Sequence, residues 1–269
     1  MVCVSIIVPF FNAARTIKFT LNSVLKQSFK DFECLLINDG SYDNSFQIVK
    51  NFCDADKRFK IYTQRKKGVV SARNLGIMNS KGRFITFLDA DDLWHHDFLK
   101  ESILIRKKYN QPLAITHSSY FRFSINKKKI KLFEINPPKE ISHNNVLNKN
   151  FLPLLTTMID RNLVKDIKFV NVRPEDYKLW IDLIYLKKQK SISIGKVLAF
   201  YRISNFQRSK NKLISILRVY KFFLNLPKTS LFKRNFAILN WLLFNILERI
   251  FSKKNYDKKI LKYIDSLHQ

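Results

Sequence analysis

Short apolar runs alternate with amphipathic stretches through the first half of the chain. Each run has the length and continuity of a strand that is buried on both faces. Between the runs, apolar residues recur at helical spacing. This alternation predicts parallel βαβ units, with helices on both faces of one sheet. The runs are Val4–Val8, Phe32–Ile37, Phe59–Thr63 and Arg83–Leu88, and the first helical series is Ile17, Leu21, Val24 and Leu25.

Further helices are predicted to carry Phe46, Val49 and Phe52, to cover Val70–Asn79 before Gly82, to cover Asp97–Tyr109, and to start at Pro174. Ser41 or Asp43 is expected to cap the first of these helices. Beyond Leu93 the pattern loosens, and the strands become short or form hairpins. The strands predicted there are Leu113–Phe123, Ile130–Phe133, Thr156–Ile159, Ile192–Ile194 and Val197–Tyr201.

From Asn211 onward the pattern is helical, basic and aromatic. The segment Phe236–Phe251 is mostly apolar, but a helix that spans a bilayer needs about 20 apolar residues. This segment is shorter and carries Glu248 and Arg249. It is therefore expected either to lie in a membrane interface or to dock on the protein core, and both alternatives stay open.

The composition and charge narrow the range of partners. The chain has 269 residues, of which 46% are hydrophobic, so one large domain with or without an extension is expected. Lys and Arg number 49 against 21 acidic residues, which indicates nucleic acid, a membrane surface or a phosphorylated substrate as partner. Cys3, Cys34 and Cys53 are an odd set and are interpreted as reduced thiols. No signal peptide is expected from the first residues.

Polar residues follow three of the predicted strands, at Pro9–Asn12, Asn38–Ser41 and Asp89–Asp92. In a doubly wound sheet these ends converge on one cleft. Three carboxylates within four residues repel one another unless a cation binds, and their oxygens suit Mg²⁺ or Mn²⁺. The alternative is a solvated acidic turn that caps the next helix.

Two other chemistries are not expected. His95 and His96 next to Asp97 could suggest zinc, but adjacent histidines on a helix point to different faces. There is no glycine-rich phosphate loop, and the chain has only five glycines. Phosphate is therefore expected to be held by a metal and by side chains.

Five stretches occur in the order seen in the family 2 glycosyltransferases, which are inverting nucleotide-sugar enzymes, and the chain resembles that family. The resemblance covers roughly the first 205 residues and implies an α/β fold of the GT-A type. This fold is a Rossmann-like three-layer sandwich with a mixed, mostly parallel sheet in the middle layer. Here a helical C-terminal extension would follow it. Residues 1–110 would bind nucleotide sugar, 111–205 would bind acceptor, and 206–269 would form the basic extension. The matching stretches are Val4–Asn12, Ile37–Ser41, Ser71–Gly76, Phe87–Asp92 and Pro174–Trp180.

The resemblance implies roles for individual residues on the donor side. Pro9, Phe11 and Asn12 would line the base, and Asp39 would accept the N3–H of uracil. Arg73 would help to bind the nucleotide and orient the carboxylates. Asp89 would contact ribose, and Asp91 would bind the Mn²⁺ or Mg²⁺ ion that bridges to the diphosphate.

On the acceptor side, Asp176 resembles the catalytic base and Glu175 is its rival. The first turn of a helix would keep Asp176 ionised but would weaken its basicity. The remaining candidates are Asp92, which could hold a metal-bound water, bind acceptor or cap the next helix; Trp94, which could floor the sugar subsite or belong to the core; and Arg202, which could reach the diphosphate. The segment Lys165–Phe169 lacks the glycines that the family often has there, which leaves the acceptor wall in question.

The leading hypothesis is a metal-dependent inverting glycosyltransferase. It would move a hexose or N-acetylhexosamine from a UDP-sugar to a hydroxyl of a lipid-linked, lipopolysaccharide-type or capsule-type saccharide. It would work in the cytoplasm, bound to the anionic inner face of a bacterial inner membrane, and no nucleic-acid partner is expected. Two alternatives are a basic nucleic-acid-binding protein and a nucleotidyltransferase of related fold. The latter would need a basic, glycine-rich loop that Pro9–Asn12 does not supply.

Overall fold

The structure is a computed structural model that describes residues 2–109, 111–126, 129–203, 217, 220–224, 234–241 and 243. The strands are β1 Val4–Phe10, β2 Phe32–Asn38, β3 Phe59–Thr63, β4 Phe84–Phe87, β5 Leu93–Trp94, β6 Ile115–Asn126, β7 Lys129–Ile135, β8 Glu140–Ile141, β9 Thr157–Asp160 and β10 Ser191–Arg202. The helices are α1 Ile17–Leu25, α2 Ser45–Ala55, α3 Val69–Asn79, α4 Phe98–Lys108 and α5 Glu175–Trp180. A 3-10 turn covers Leu154–Thr156, and a π-helical turn, Ile181–Leu186, continues α5.

The strands form one mixed sheet in the order β3-β2-β1-β4-β9-β6-β10-β5, with β7 beside β6 and β8 beside β10. The first four strands pair in parallel, as the βαβ pattern predicts. Strand β9 pairs antiparallel with β4 and with β6, and so joins this half to the parallel pair of β6 and β10. The parallel half places the ends of β1, β2 and β4 along one edge of the sheet.

The sheet separates two helical layers, which makes three layers in all. On one face, Val4, Ile6 and Val8 of β1 pack in one apolar cluster with residues of α1, α2 and α4. On the other face, Ile7 packs in a cluster that includes residues of α3 and α5. Alternate side chains of a strand point to opposite faces, so a continuous apolar run such as β1 supplies both clusters.

Strand β1 continues through Pro9, where the sequence predicted a break. Ile7 accepts a hydrogen bond from the Leu88 N–H on the β4 side, and alternate residues of a strand bond to the same side. Pro9 therefore faces the side of β1 on which β4 has already ended at Phe87. A proline is tolerated at this position because no neighbouring strand needs its missing N–H.

Two other predicted boundaries are wrong. The strands predicted over Ile192–Ile194 and Val197–Tyr201 are one strand, β10, with a shift of register between Ser193 and Val197. Gly195 adopts φ +74° there, a conformation that glycine reaches without strain. The cap predicted for α2 is also different, because α2 begins after Asn44 while the Asp43 carboxylate accepts the Ser45 N–H at 2.9 Å.

The described part of the C-terminal region is helical at residues 217, 220–224, 234–241 and 243, and one of its faces docks on the core. Ala237 and Trp241 pack against the cluster that covers α3 and α5. Phe236 is 56% exposed and Leu239 is 54% exposed, on the opposite face. Core docking is thus observed for this part, while 244–251, including Glu248 and Arg249, lie outside the described residues. Within the described chain, we find no helix with the length and apolar character needed to cross a membrane.

Candidate active site

The loops that follow β1 and β2 are bound to each other. The Asn12 N–H donates to Ser41 Oγ at 3.1 Å, and Asn12 Oδ1 accepts the Tyr42 N–H at 3.0 Å. The Phe11 ring meets Tyr42 edge-on, and the Lys66 ammonium lies 4.4 Å from the Phe11 centroid. Two of the three polar strand ends therefore form one wall, as predicted.

Asp39, at the end of β2, organises the turn that leads into α3. Its Oδ1 accepts hydrogen bonds from Gln64 Nε2 at 2.7 Å and from the Lys67 N–H at 2.8 Å, and its Oδ2 accepts the Gly68 N–H at 2.9 Å. Gly68 adopts φ +91°, so a larger residue would strain this turn. A carboxylate has about four acceptor positions, so room for a base N–H remains on Oδ2.

Arg73 connects three elements at the centre of the site. Gly76, one turn later on α3, lets this helix lie close to β1, because a Cβ there would stand 2.4 Å from Ile7 Cγ2. Arg73 is only 4% exposed, and its Nη2 donates to Asp89 Oδ1 at 2.8 Å and its Nη1 to Glu175 Oε1 at 3.3 Å. The guanidinium thus brings together the carboxylates after β4 and the start of α5.

The environment of Arg73 is strongly polar despite its burial. Burial alone would lower the pKa of Arg73, but the charges of Asp89 and Glu175 outweigh it and raise that pKa. Its Nε has no hydrogen-bond partner among the residues the structure describes. A buried donor that lacks a partner is unusual, and an anionic ligand at this position would satisfy it.

The three carboxylates after β4 differ in their surroundings. The Asp89 side chain is 40% exposed. Burial and the charge of Asp89 raise the pKa of Asp91 to about 6. Asp92 is buried, its pKa is raised well above the usual value by burial and by Asp91, and its Oδ1 accepts the Arg202 N–H at 2.8 Å. Asp89 and Asp91 are therefore partly exposed, while Asp92 is buried and secures β10.

Arg202 and the position of α4 decide between the alternatives for this cluster. The Arg202 Nε donates to the Asp91 carbonyl oxygen at 2.8 Å, so its guanidinium lies beside the carboxylates. Helix α4 begins at Phe98 with Asp97 as its N-cap residue, so Asp92 does not cap it. The alternative of an acidic turn that caps the next helix is therefore wrong.

Trp94 belongs to the core, which was one of the two alternatives for this residue. Its side chain is fully buried, stacks on Phe98 at 4.3 Å between ring centroids, and donates from Nε1 to the Leu155 carbonyl oxygen at 2.7 Å. A side chain in this position cannot form the floor of a sugar subsite. The suggested role of Trp94 next to the sugar or acceptor is therefore wrong, because the side chain is buried.

Glu175 and Asp176 have different partners at the start of α5. Glu175 is held by Arg73, whereas Asp176 Oδ2 accepts a hydrogen bond from Asn150 Nδ2 at 2.9 Å. Burial and the charge of Glu175 raise the pKa of Asp176, although Arg73 and Asn150 act in the opposite direction. The expected weakening of its basicity is therefore not found, because loss of solvent and the Glu175 charge raise the pKa of Asp176 more than its hydrogen bonds and Arg73 lower it.

The segment Lys165–Phe169 forms a turn without glycine. Asp166 adopts φ +60°, the left-handed conformation that glycine often supplies. The Asn74 amide then clasps Phe169 by accepting its N–H at 2.8 Å and donating to its carbonyl oxygen at 2.9 Å. Phe169 packs edge-on against Phe87 at 5.2 Å. This segment therefore lies next to Arg73 and forms its turn without glycine, and its contact with an acceptor stays a prediction.

Asn74 and Asn150 are two site residues that the sequence analysis missed. Asn74 lies inside a matching stretch, directly after Arg73, and could have been considered there. Asn150 lies in an irregular segment 26 residues before its partner Asp176 and carries no local signal.

Comparison with known proteins identifies the class of protein. The family model described as glycosyl transferase family 2 matches residues 5–167, and the chain belongs to this family. It is a glycosyltransferase with the GT-A fold. This membership favours the leading hypothesis over the two alternatives raised by charge and fold.

Three known proteins illustrate the similarity. The chain is 32% identical over 256 residues to the Escherichia coli protein named UDP-Glc:alpha-D-GlcNAc-diphosphoundecaprenol beta-1,3-glucosyltransferase WfgD, with 95% of this chain and 98% of that protein covered. Residues 1–349 of S. aureus TarS, solved with UDP-GlcNAc, superpose with a TM-score of 0.67 at 19% identity, covering 89% of this chain and 71% of that one. The mannosyltransferase PcManGT of Pyrobaculum calidifontis, solved with GDP-Man and Mn²⁺, gives a TM-score of 0.62 at 14% identity, covering 93% and 76%.

Proposed function

We propose that this glycosyltransferase moves a sugar from a UDP-sugar to a hydroxyl of a lipid-linked saccharide, with inversion at the anomeric carbon and with Asp176 as the base. One observation carries the proposal: Arg73 contacts both Asp89 and Glu175. A single guanidinium thus links the carboxylates proposed for the donor to the pair proposed for the acceptor. Such an arrangement suits a displacement in which donor and acceptor must meet at one point.

The donor side combines an aromatic wall with oriented acceptors. Phe11 and Lys66 would lie along the base, and Asp39 Oδ2 would accept a uracil N3–H. Asp89 would contact the ribose. The name of the Escherichia coli relative includes UDP-Glc, which makes UDP-glucose the first donor to test.

The residues after β4 fit a hard divalent cation. Asp89 and Asp91 carry carboxylate oxygens, the ligands that Mg²⁺ and Mn²⁺ prefer, and burial together with the charge of Asp89 raises the pKa of Asp91. Asp91 would hold the cation, and Asp92 would support the turn through β10. A bound cation would offset the negative charge that develops on the departing diphosphate. Arg73 lies beside the Asp89 carboxylate and Arg202 beside the Asp91 carbonyl oxygen, and both guanidinium groups would bind the phosphates directly.

Asp176 is proposed as the base because each of its oxygens keeps an acceptor position beyond the hydrogen bonds from Asn150 Nδ2 to Oδ2 and from the Tyr177 N–H to Oδ1. Asn150 donates to one oxygen and orients the carboxylate, and its raised pKa makes Asp176 a stronger base than an ordinary aspartate. The acceptor hydroxyl would donate to Asp176 and attack the anomeric carbon from the face opposite the diphosphate. Glu175 would instead hold the Arg73 guanidinium in place, and its charge would disfavour the ionised form of the neighbouring Asp176.

We further propose that the acceptor is a saccharide carried on a polyprenyl diphosphate, at the inner face of a bacterial inner membrane. The relative whose name includes GlcNAc-diphosphoundecaprenol matches along nearly all of its length. The exposed apolar side chains of residues 234–243 and the basic C-terminal region support attachment to an anionic surface. Residues 1–205 would then form the catalytic domain, and 206–269 the part that contacts lipid.

A panel of nucleotide sugars tests this function. UDP-glucose, UDP-GlcNAc and GDP-mannose are each added with Mn²⁺ or with chelator, and thermal shift and transfer to a GlcNAc-diphosphoprenyl acceptor are measured. We expect stabilisation and transfer with one UDP-sugar only when metal is present. Asp176→Asn should keep donor binding and lose at least about a hundredfold in kcat. Normal transfer by Asp176→Asn would refute its role as base, and equal transfer with chelator would refute the metal requirement.

A further inference from the structure

A second group of metal-ligating side chains lies in the turn between β5 and α4. Each of His95, His96 and Asp97 offers a ligand atom, and these atoms lie within 4.8 Å of one another. Both histidines precede α4, which begins only at Phe98, so the helical spacing that would turn them to different faces does not apply. In the turn the two imidazole rings lie side by side, with 4.1 Å between centroids, and do not point to different faces.

The backbone of this turn is held by its neighbours. The His95 N–H donates to the Leu198 carbonyl oxygen at 2.9 Å, and the His95 carbonyl oxygen accepts from Gln27 Nε2 at 2.8 Å. The His96 carbonyl oxygen accepts the Ser28 N–H at 2.8 Å. Only side-chain rotations are therefore needed to bring the three ligand atoms to the mutual spacing of about 3.4 Å that Zn²⁺ requires.

Contacts among the three side chains and their backbone already orient them. His95 Nδ1 accepts the Asp97 N–H at 3.3 Å, and His96 Nδ1 lies 3.3 Å from Asp97 Oδ1. A bound ion would replace these two contacts. Ser28 Oγ donates to Asp97 Oδ1 at 2.6 Å and fixes the carboxylate, as partners of metal ligands commonly do.

Nearby charges are mixed and set a limit on affinity. Lys100 Nζ lies 4.0 Å from Asp97 Oδ1 and competes with a cation. Lys196 also faces His95, but its Nζ is paired with Glu101 at 2.9 Å. Both lysine side chains are more than half exposed and can move away. These charges favour a site of moderate affinity.

We propose that His95, His96 and Asp97 bind one late first-row divalent ion, with Zn²⁺ as the preferred ion and water completing its coordination. Two imidazoles and one carboxylate are ligands that Zn²⁺, Ni²⁺ and Cu²⁺ prefer, whereas Mg²⁺ and Mn²⁺ prefer oxygen alone. The site would therefore differ in metal preference from Asp89 and Asp91. It does not depend on the proposed sugar transfer.

Titration of the untagged full chain with Zn²⁺, in excess Mg²⁺ that saturates the oxygen site, tests the proposal. Calorimetry should give one equivalent of bound Zn²⁺, and Co²⁺ should give the visible absorption of a site with nitrogen ligands. His96→Gln and Asp97→Asn should each weaken Zn²⁺ binding at least about tenfold. The exposed His143 lies elsewhere, and His143→Gln should leave binding unchanged.

Three results would overturn the proposal. The first is that the folded wild-type chain does not bind Zn²⁺. The second is that the wild type and both variants bind Zn²⁺ equally well. The third is that Asp91→Asn loses Zn²⁺ binding while His96→Gln keeps it. His96 is exposed and Asp97 keeps its size as asparagine, so both variants should fold, and thermal unfolding checks this. A weakened site in these two variants, with the Asp91→Asn variant unaffected, supports the proposal.

Discussion

At the scale of single residues, the partners of each carboxylate decide what it can do. Asp89, Asp91 and Asp92 lie within four positions, yet one faces the cleft, one has a pKa of about 6 and one is buried against β10. The neighbours Glu175 and Asp176 are separated in the same way by Arg73 and Asn150. The sequence shows that all five residues are carboxylates, but the differences between them come from contacts with distant parts of the fold.

Replacement of Asn150 tests whether it positions and tunes the base. The Asn150 hydrogen bond lowers the pKa of Asp176, so Asn150→Ala should raise that pKa further. Transfer requires the ionised base and is lost as the pH falls through its pKa. The acid limb of the kcat profile should therefore move to higher pH in the variant, with little change in KM for the donor.

A matched control separates this effect from general damage. Asn136 is exposed and, among the described residues, donates to the nearby Glu134, so Asn136→Ala should keep the wild-type pH profile. An acid limb that stays in place in Asn150→Ala, with the protein folded, would show that Asn150 does not act on the base.

At the scale of elements, helix α3 carries the site because it approaches β1 so closely. Gly76 allows this contact, and Arg73 and Asn74 then reach Asp89 and Phe169. The helix was predicted to within one residue because apolar spacing is a local property, but β1 runs two residues beyond the predicted Val8. The close approach of α3 to β1 was not predicted, because it depends on which residue of β1 lies beneath Gly76.

Gly76→Ala should move α3 away from the sheet. The added Cβ would stand 2.4 Å from Ile7 Cγ2, a branched and fully buried side chain. We expect a loss of about 1–3 kcal/mol in the free energy of unfolding, measured with urea, and weaker nucleotide-sugar binding because Arg73 shifts. Met78→Ala on the exposed side of the same helix should change stability by less than about 0.5 kcal/mol. Equal stability of Gly76→Ala and wild type would contradict the close contact.

At the scale of the whole molecule, a basic protein surrounds an acidic centre. The formal net charge is +28, while the proposed donor site gathers carboxylates at the sheet edge. Positive charge at a distance attracts anionic lipids and phosphorylated substrates, and a cation held by the carboxylates would bind the diphosphate locally. The described C-terminal residues add an exposed apolar face to this charge.

Vesicle binding tests the proposed attachment. The chain should sediment with vesicles rich in anionic lipid, less so as salt rises, and not with zwitterionic vesicles. Phe236→Gln and Leu239→Gln change exposed residues of the docked helix and should each weaken binding by about tenfold. Met78→Gln, at a more exposed apolar site on α3, should have no effect. Binding that ignores lipid charge and all three substitutions would contradict the membrane role of this face.

The sequence by itself determined the alternation of strands and helices, the three polar strand ends and the family, because these depend on local periodicity and short motifs. The tertiary structure alone decided that Trp94 is core, that Asp166 replaces a glycine, and that Asn150 reaches Asp176. It also placed Asp89 and Glu175 on one Arg73 guanidinium. These outcomes depend on burial and on contacts between distant segments, which a linear pattern does not encode. The acidic stretch at the end of β4 thus became a site only once α3 and α5 were packed around it.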